Sequence, residues 1–297
     1  MVTFHVGHHK TATTWLQDGL FSQHPQICLL NDHKKPWNNP VLHYVVTESE
    51  RSYNYEHAKS LFQNSILMYR NCGRRLLYSA ERLSGHPMSG GIDSYRTAKR
   101  LYSLCPDAKI IIGIRGQRTM LASIYTQLLK AGYCGSFSSL LSQDNWKTPG
   151  FNLDYLKFDK LVGLYISLFG ASRIQVLFYE DLLIDKQAYL NSITNFMNID
   201  TFIPSNFDAI NNSSANVNLI SLATRNVVKT TSNGIAQFGI ELGKDLEQGM
   251  QEMISNACKE LTIDSLFSIP TDLERMYSQS NESLFNMLGI VGKSGYS

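Results

Sequence analysis

The chain is short of charge. Asp, Glu, Lys and Arg make up 18% of its 297 residues, below the roughly 25% of an average globular protein, and neutral Asn and Ser take up the difference. The charges it has nearly cancel, 27 Lys and Arg against 25 Asp and Glu, for a net +2. So small an excess excludes a general nucleic-acid or membrane-surface binder, whose grip depends on many phosphate contacts, and any anion site must be local. Cysteine is scarce as well. Cys28, Cys72, Cys105, Cys134 and Cys258 are odd in number and widely spaced, with no C-x-x-C pair for zinc or redox work. They are expected as reduced thiols of a cytoplasmic protein.

No apolar run approaches the ~18 residues that a membrane span requires, and the opening Met1-Val2-Thr3-Phe4-His5-Val6 has no signal-peptide charge pattern. Neither an integral membrane segment nor secretion is expected. No internal period of roughly 20 to 50 residues recurs, which excludes solenoids and propellers. No cluster of His, Asp and Glu has the spacing of a metal site, so no metal is expected.

What is present is 43% hydrophobic residues, in patterns that alternate. Val2 to Val6 is a short apolar run that ends at Gly7, and Trp15, Leu16, Leu20 and Phe21 then recur with helical spacing. Arg74 to Ser79 and Lys109 to Ile114 are further short runs, the second apolar nearly throughout, as suits a parallel strand covered on both faces. Leu121, Ile124, Tyr125 and Leu128 follow the i, i+3, i+4, i+7 rule of an amphipathic helix that ends near Ala131-Gly132. A strand over Ile174 to Tyr179 and a helix rich in Leu190, Ile193 and Phe196 complete the pattern. Strands alternating with helices predict an α/β fold, a central parallel sheet flanked by helices. Gly132 to Asn152 and Ser205 to Asn218 are rich in Gly, Ser and Asn and read as loops of the kind that form lids or binding segments. Neither has the character of a linker, so one domain over residues 1–297 with a helical C-terminal third is expected.

The strongest local signal is Gly7-His8-His9-Lys10-Thr11-Ala12-Thr13-Thr14-Trp15-Leu16, at the turn from the first strand into the first helix. Such a turn gathers free backbone N–H groups at the positive end of a helix dipole, an anion cradle. Lys10 adds a full charge, and Thr11, Thr13 and Thr14 add hydroxyl donors. Alone, the same residues also suit a capped helix start with a solvated lysine. A nucleotide-kinase loop would read G-x-x-x-x-G-K-[ST], and His9 stands where its second glycine belongs.

The loop, with its lysine-threonine half kept and its glycine half lost, resembles the 5′-phosphosulfate loop of sulfotransferases that use 3′-phosphoadenosine-5′-phosphosulfate (PAPS) and release 3′-phosphoadenosine-5′-phosphate (PAP). The resemblance extends to a second site. Arg115 closes the strand ending at Ile114, and Ser123 follows on the next helix, as do the family's arginine and serine on the 3′-phosphate. Many members carry Asn-Pro or Glu-Pro after the arginine, where this chain has Gly116-Gln117. Tyr179-Glu180-Asp181-Leu182 is similar to a segment at a strand end that many members share, and the dipole of the helix it opens favours its acidic residues. The tail around Asn281 looks only weakly like the family's C-terminal helix.

The resemblance implies a P-loop-like nucleotide-binding core. It implies a donor site of His9, Lys10, Thr11, Ala12, Thr13, Thr14, Arg115 and Ser123, with Lys10 also acting on the leaving phosphate. The reaction implied is sulfuryl transfer to a hydroxyl acceptor, with an amine as a variant. The base it implies is Glu81, which follows a strand as in carbohydrate-type members; the bland alternative pairs Glu81 with Arg82 or Arg74 on the surface. His8 and His9 compete for the role, being of the right type near neutral pH. Trp37, Tyr44, Tyr53, Tyr55, Tyr133, Phe137 and Trp146 could stack on an acceptor or pack in a core. A glutamate base leans the acceptor toward a glycan or glycolipid. Two rivals stand beside this reading, a P-loop kinase using ATP and a nucleotide-binding protein without catalysis.

Overall fold

The computed structural model describes residues 1–32, 34–69, 71–142, 151–205, 219–236, 243–257 and 269–296. Trp146, Cys258 and His33, together with 143–150 and 206–218 of the two expected loops, lie outside the described residues.

Five parallel strands form the sheet: β1 (Val2–Gly7), β2 (Ile27–Leu29), β3 (Arg75–Ser79), β4 (Lys109–Ile114) and β5 (Ile174–Phe178), in the order β2-β3-β1-β4-β5. Side chains alternate between faces, and the burial pattern follows that period. Phe4, Val6, Tyr78, Ile110, Ile112 and Phe178 enter a large core on one face, while Leu77, Ile111 and Leu177 enter a smaller one on the other. Fully burying side chains of this size contributes about 1.5–3 kcal/mol each.

The larger core is covered by α2 (Pro40–Thr47), α3 (Tyr55–Leu67), α4 (Ser94–Leu104), α5 (Gln117–Lys130), α6 (Phe137–Leu141), α7 (Phe158–Phe169) and a later C-terminal helix. The smaller one is covered by α1 (Thr13–Leu16), which runs on as a π-helical turn over Gln17–Phe21, and by α8 (Tyr179–Ile184) and α9 (Lys186–Met197). Asparagine and aspartate do much of the capping. Asn39 and Asn54 accept from the N–H groups of Leu42 and His57 at 3.0 Å, and Asp185 accepts from that of Ala188 at 2.9 Å. The C-terminal region is helical, as expected: α10 (Leu219–Ala236), α11 (Lys244–Ala257) and α12 (Thr271–Leu288). Helix α12 packs on α7, where Ser280 donates to Asp159, and Tyr277 donates to the Leu153 carbonyl at 3.2 Å.

Four features depart from the pattern read in the sequence. Strand β2, only three residues long, was too short to carry a period. The last strand ends at Phe178, because Tyr179 already opens α8, and Asp185 separates that short helix from α9. The first helix keeps α geometry for four residues before widening. Within the first Gly- and Ser-rich stretch, Ser136 accepts from the Ser139 N–H at 3.0 Å and caps α6, whose Phe137, Leu140 and Leu141 are buried.

Helices α1 and α5 follow neighbouring strands yet lie on opposite faces of the sheet. The C-terminal edge between β1 and β4 is therefore the topological switch point, where an open α/β sheet presents a crevice to ligands.

Candidate active site

The loop from β1 to α1 lies in that crevice. Its Lys10 and Ala12 are left-handed, at φ 69° and 61°, a conformation that non-glycine residues adopt rarely and that here turns successive amides toward one side as an anion nest. Among the described residues no acceptor takes the N–H groups from His9 to Thr14. The His8 N–H is used, donating to the Gly113 carbonyl at 3.1 Å, which ties the loop to β4. Thr11 is buried and its hydroxyl donates back to the His8 carbonyl at 2.7 Å, so that side chain holds the loop's shape rather than facing outward. The Thr13 hydroxyl is buried without a partner. It leaves no room for a side chain at Gly7, where a Cβ would come within 2.6 Å of its oxygen. Thr14 is exposed and Ala12 half-buried.

Cations gather at the loop. Burial pulls the Lys10 ammonium below its ordinary pKa; Glu81 opposes this, while Lys130 and Arg115 add repulsion. Lys130, at the end of α5, is a neighbour that no motif pointed to. Arg115 donates to the Lys10 carbonyl at 3.3 Å and to the Thr119 hydroxyl at 3.0 Å, and its guanidinium lies 4.5 Å from the centre of the Tyr179 ring. The two expected donor contacts are thus joined directly, strand end to loop. Ser123 is half-buried on α5.

The residues proposed as bases separate clearly. His8 is 1% exposed, with its ring edge-on to Tyr155 and Phe158 at 4.6 and 5.1 Å. Burial, with repulsion from His9, takes its pKa down to about 3, so it stays neutral and serves as packing. His9 turns its Nδ1 to Glu81 Oε2 at 2.8 Å. The side chain of Glu81 is 32% exposed against 17% for His9, and His9 Nε2 is buried without a partner. Arg82 pairs instead with Asp93 at 3.2 Å, and among the described residues no ion pair joins Glu81 to Arg82 or Arg74.

Beneath Glu81 lies a buried polar cluster. Ser79, at the end of β3, accepts at Oγ from Gln17 Nε2 at 2.9 Å and lies 2.7 Å from His5 Nδ1, and Asn31 brackets its backbone N–H and carbonyl at 2.9 and 3.0 Å. Burial holds His5 at about pKa 4 against the pull of Glu81. His5 and His9 stand four residues apart, but one turns to Ser79 and the other to Glu81. No group of three or more His, Cys, Asp and Glu side chains placed to hold a metal occurs among the described residues, and none of their helices is long and apolar enough to cross a membrane.

The Tyr-Glu-Asp segment has a larger part than the helix dipole assigns it. Glu180 Oε1 accepts from the Gly116 N–H at 3.0 Å, and Glu180 Oε2 accepts from the Tyr296 hydroxyl at 2.8 Å. Gln117 and Asn281 exchange amide hydrogen bonds at 2.7 and 3.1 Å. The Gly116-Gln117 pair is therefore built for this chain's own C-terminal contacts. Sequence reasoning missed those contacts, since their partners lie 64 and 164 residues away.

A sulfotransferase from Alicyclobacillus acidocaldarius has a similar fold, with a TM-score of 0.58 at 17% identity over 100% of this chain and 99% of that one. A sulfotransferase domain from the curacin biosynthetic pathway gives a TM-score of 0.48 at 12% identity, over 93% of this chain and 96% of that one. A mouse sulfotransferase complexed with PAP gives 0.41 at 13% identity, over 96% and 84%. No curated protein matches. The model of the sulfotransferase family matches residues 3–203, more than half of the chain and all of the loop, strand-end and Glu81 region just described, and the chain belongs to that family.

Proposed function

We propose that the protein transfers a sulfuryl group from PAPS to a hydroxyl of a glycan or glycolipid acceptor. The observation that carries this reading is the run of N–H groups from His9 to Thr14 without an acceptor among the described residues, with Lys10 in the same loop and Arg115 bonded to the Lys10 carbonyl. The buried Thr13 hydroxyl, which has no partner among the described residues, adds a further donor. A nucleotide with anionic groups at both ends of its ribose suits this set.

The donor supplies a sulfuryl group on a good leaving phosphate. Lys10 and the loop amides stabilise charge on that phosphate, fixed in advance by the fold of the loop. Arg115, with Ser123, holds the 3′-phosphate and so contributes orientation from a point remote from the reaction. Glu81 takes the proton from the acceptor hydroxyl. It is the more exposed member of its pair with His9, whose Nδ1 meets one of its oxygens and leaves the other open.

The acceptor class rests on a cleft of about 420 Å³ beyond β2, lined in part by Asn31, Asp32, Asn38, Asn39 and Asn64. Asn31 belongs both to its wall and to the clamp on Ser79, two residues before Glu81. Leu30, Val41, Leu61, Met68 and Tyr69 line the rest, so the cleft sets the Asn38 and Asn64 amides beside a largely apolar wall, which suits an acceptor that carries sugar hydroxyls on an apolar body. Tyr44 and Tyr53 instead stack on each other and Phe137 is core. The free thiols Cys28, Cys72, Cys105 and Cys134 accord with a cytoplasmic setting.

The test is an acceptor screen with radiolabelled PAPS across sugars, glycolipids, phenols and amines, with ATP and magnesium as the rival donor. Label on a sugar hydroxyl is the expected result. Phosphoryl transfer from ATP, or tight PAP binding with no acceptor labelled, contradicts it.

A further inference from the structure

Tyr296 is the tightest point of the C-terminal segment. It is 2% exposed, its ring packed edge-on against Phe178 and Phe285 at 5.4 and 6.1 Å. Its hydroxyl donates to Glu180 Oε2 at 2.8 Å, and the other oxygen of that carboxylate takes the N–H of Gly116. Its carbonyl accepts from Asn281 Nδ2 at 2.6 Å, and Asn281 in turn holds the Gln117 amide. Lys293, three residues earlier, pairs with both oxygens of Asp181 at 2.7 and 2.8 Å. A Cβ on Gly116 would collide with the Gly295 carbonyl oxygen, so strand end and tail fit only with glycine there.

Both residues that follow Arg115 are therefore held through one intermediary each, and both intermediaries end on Tyr296. We propose that the segment 293–296 is a clamp on the β4–α5 corner, with Tyr296 as a positioning residue that sets Arg115 for the 3′-phosphate of the nucleotide. The last clause rests on the donor site proposed above; the clamp itself does not.

The geometry also assigns a selectivity role to Glu180. The N–H of Gly116 belongs to the start of α5, where an anion would ordinarily be welcome. The Glu180 carboxylate already occupies it. A phosphate arriving at this corner meets Arg115 and Ser123 instead of that N–H, so discrimination falls largely on the Arg115 guanidinium, whose orientation the clamp fixes. By linkage, a nucleotide that uses Arg115 must tighten the tail by the factor that the tail tightens the nucleotide.

The experiment uses Tyr296→Phe in the full chain, which keeps the ring and removes only the bond to Glu180, with Arg115→Ala as reference. Titration with PAP and with 5′-AMP is run beside amide hydrogen exchange. Losing a hydrogen bond to a charged group should weaken PAP by about 10-fold and leave 5′-AMP unchanged. Exchange at Gly116 should quicken by a similar factor, and PAP, but not 5′-AMP, should slow exchange across 293–296 in the wild type. If exchange at Gly116 does not change in Tyr296→Phe, there is no clamp. If exchange quickens but PAP and 5′-AMP weaken equally, the tail holds the corner without positioning Arg115, and the proposal is overturned. If Arg115→Ala does not lower PAP affinity relative to 5′-AMP, the donor reading fails, and the exchange result alone then decides whether the clamp stands.

Discussion

The two walls of the crevice are built in opposite ways. The β1–α1 loop is local: Thr11 is held by His8 three residues back, and the shape comes from the left-handed turns at Lys10 and Ala12. The β4–α5 corner is assembled from afar, since Arg115 reaches Lys10 across 105 residues, Gly116 depends on Glu180 64 residues on, and Gln117 depends on Asn281 164 residues on. A wall made by its own sequence can be recognised from a short motif and injured only by changes within it. A wall made by distant partners can be injured from any of them.

The comparison is broken most severely at Glu81, which follows β3 and meets the local wall through His9. Glu81→Gln keeps shape and removes the base, so kcat should fall about 10²–10⁴-fold with PAP affinity unchanged. His9→Gln should cost much less, because His9 Nε2 is buried and only its Nδ1 meets Glu81. A large loss in His9→Gln with a few-fold loss in Glu81→Gln would transfer the base to His9.

Within the local wall, Lys10→Ala should lower turnover about 10²–10³-fold, the usual worth of a donor aimed at developing charge, while PAP binding weakens less because the loop amides persist. Near-normal steady-state turnover would remove the loop from the mechanism. In the distant wall, Arg115→Ala and Ser123→Ala should each reduce affinity for PAP more than for 5′-AMP, with arginine the larger, since a forked charged contact has no neutral substitute. Equal losses for both nucleotides would put the 3′-phosphate elsewhere.

The smallest effect concerns stability and sharpens the view of the loop as a rigid, buried frame. His8 and His5 have folded-state pKa values of about 3 and about 4 against an ordinary 6.5. The unfolded chain therefore binds more protons than the folded one as pH falls below 6.5, and stability should be full above that value and decline on acidification toward 4 and then 3, by about 1.4 kcal/mol per pH unit per histidine. In His8→Leu the slope of denaturation free energy against pH between 6 and 4 should drop by one proton. An unchanged slope would mean that His8 is not buried neutral.

Strands β1, β3, β4 and β5 were legible in the sequence because each is an apolar run with turn residues at its ends, and the approach of Arg115 to the Lys10 loop because each follows the end of such a strand. Strand β2 was not, being three residues stabilised by its neighbour β3 rather than by a period of its own. The pairing of His9 with Glu81 was hidden because it joins the ends of adjacent strands, and adjacency in a sheet is not written in chain order. For the same reason Glu180 looked like a helix-dipole residue, when its two oxygens bridge Gly116 and Tyr296.

The central claim is that the two walls together hold a nucleotide carrying phosphates at both ends of its ribose. Calorimetric titration of the wild-type protein with PAP, 5′-AMP and magnesium-ATP tests it most directly. The account predicts that PAP binds roughly 10–100-fold tighter than 5′-AMP, the worth of a charge-assisted contact to the extra phosphate, and that magnesium-ATP is the weaker rival. PAP binding no tighter than 5′-AMP, or magnesium-ATP binding tightest of the three, would contradict it.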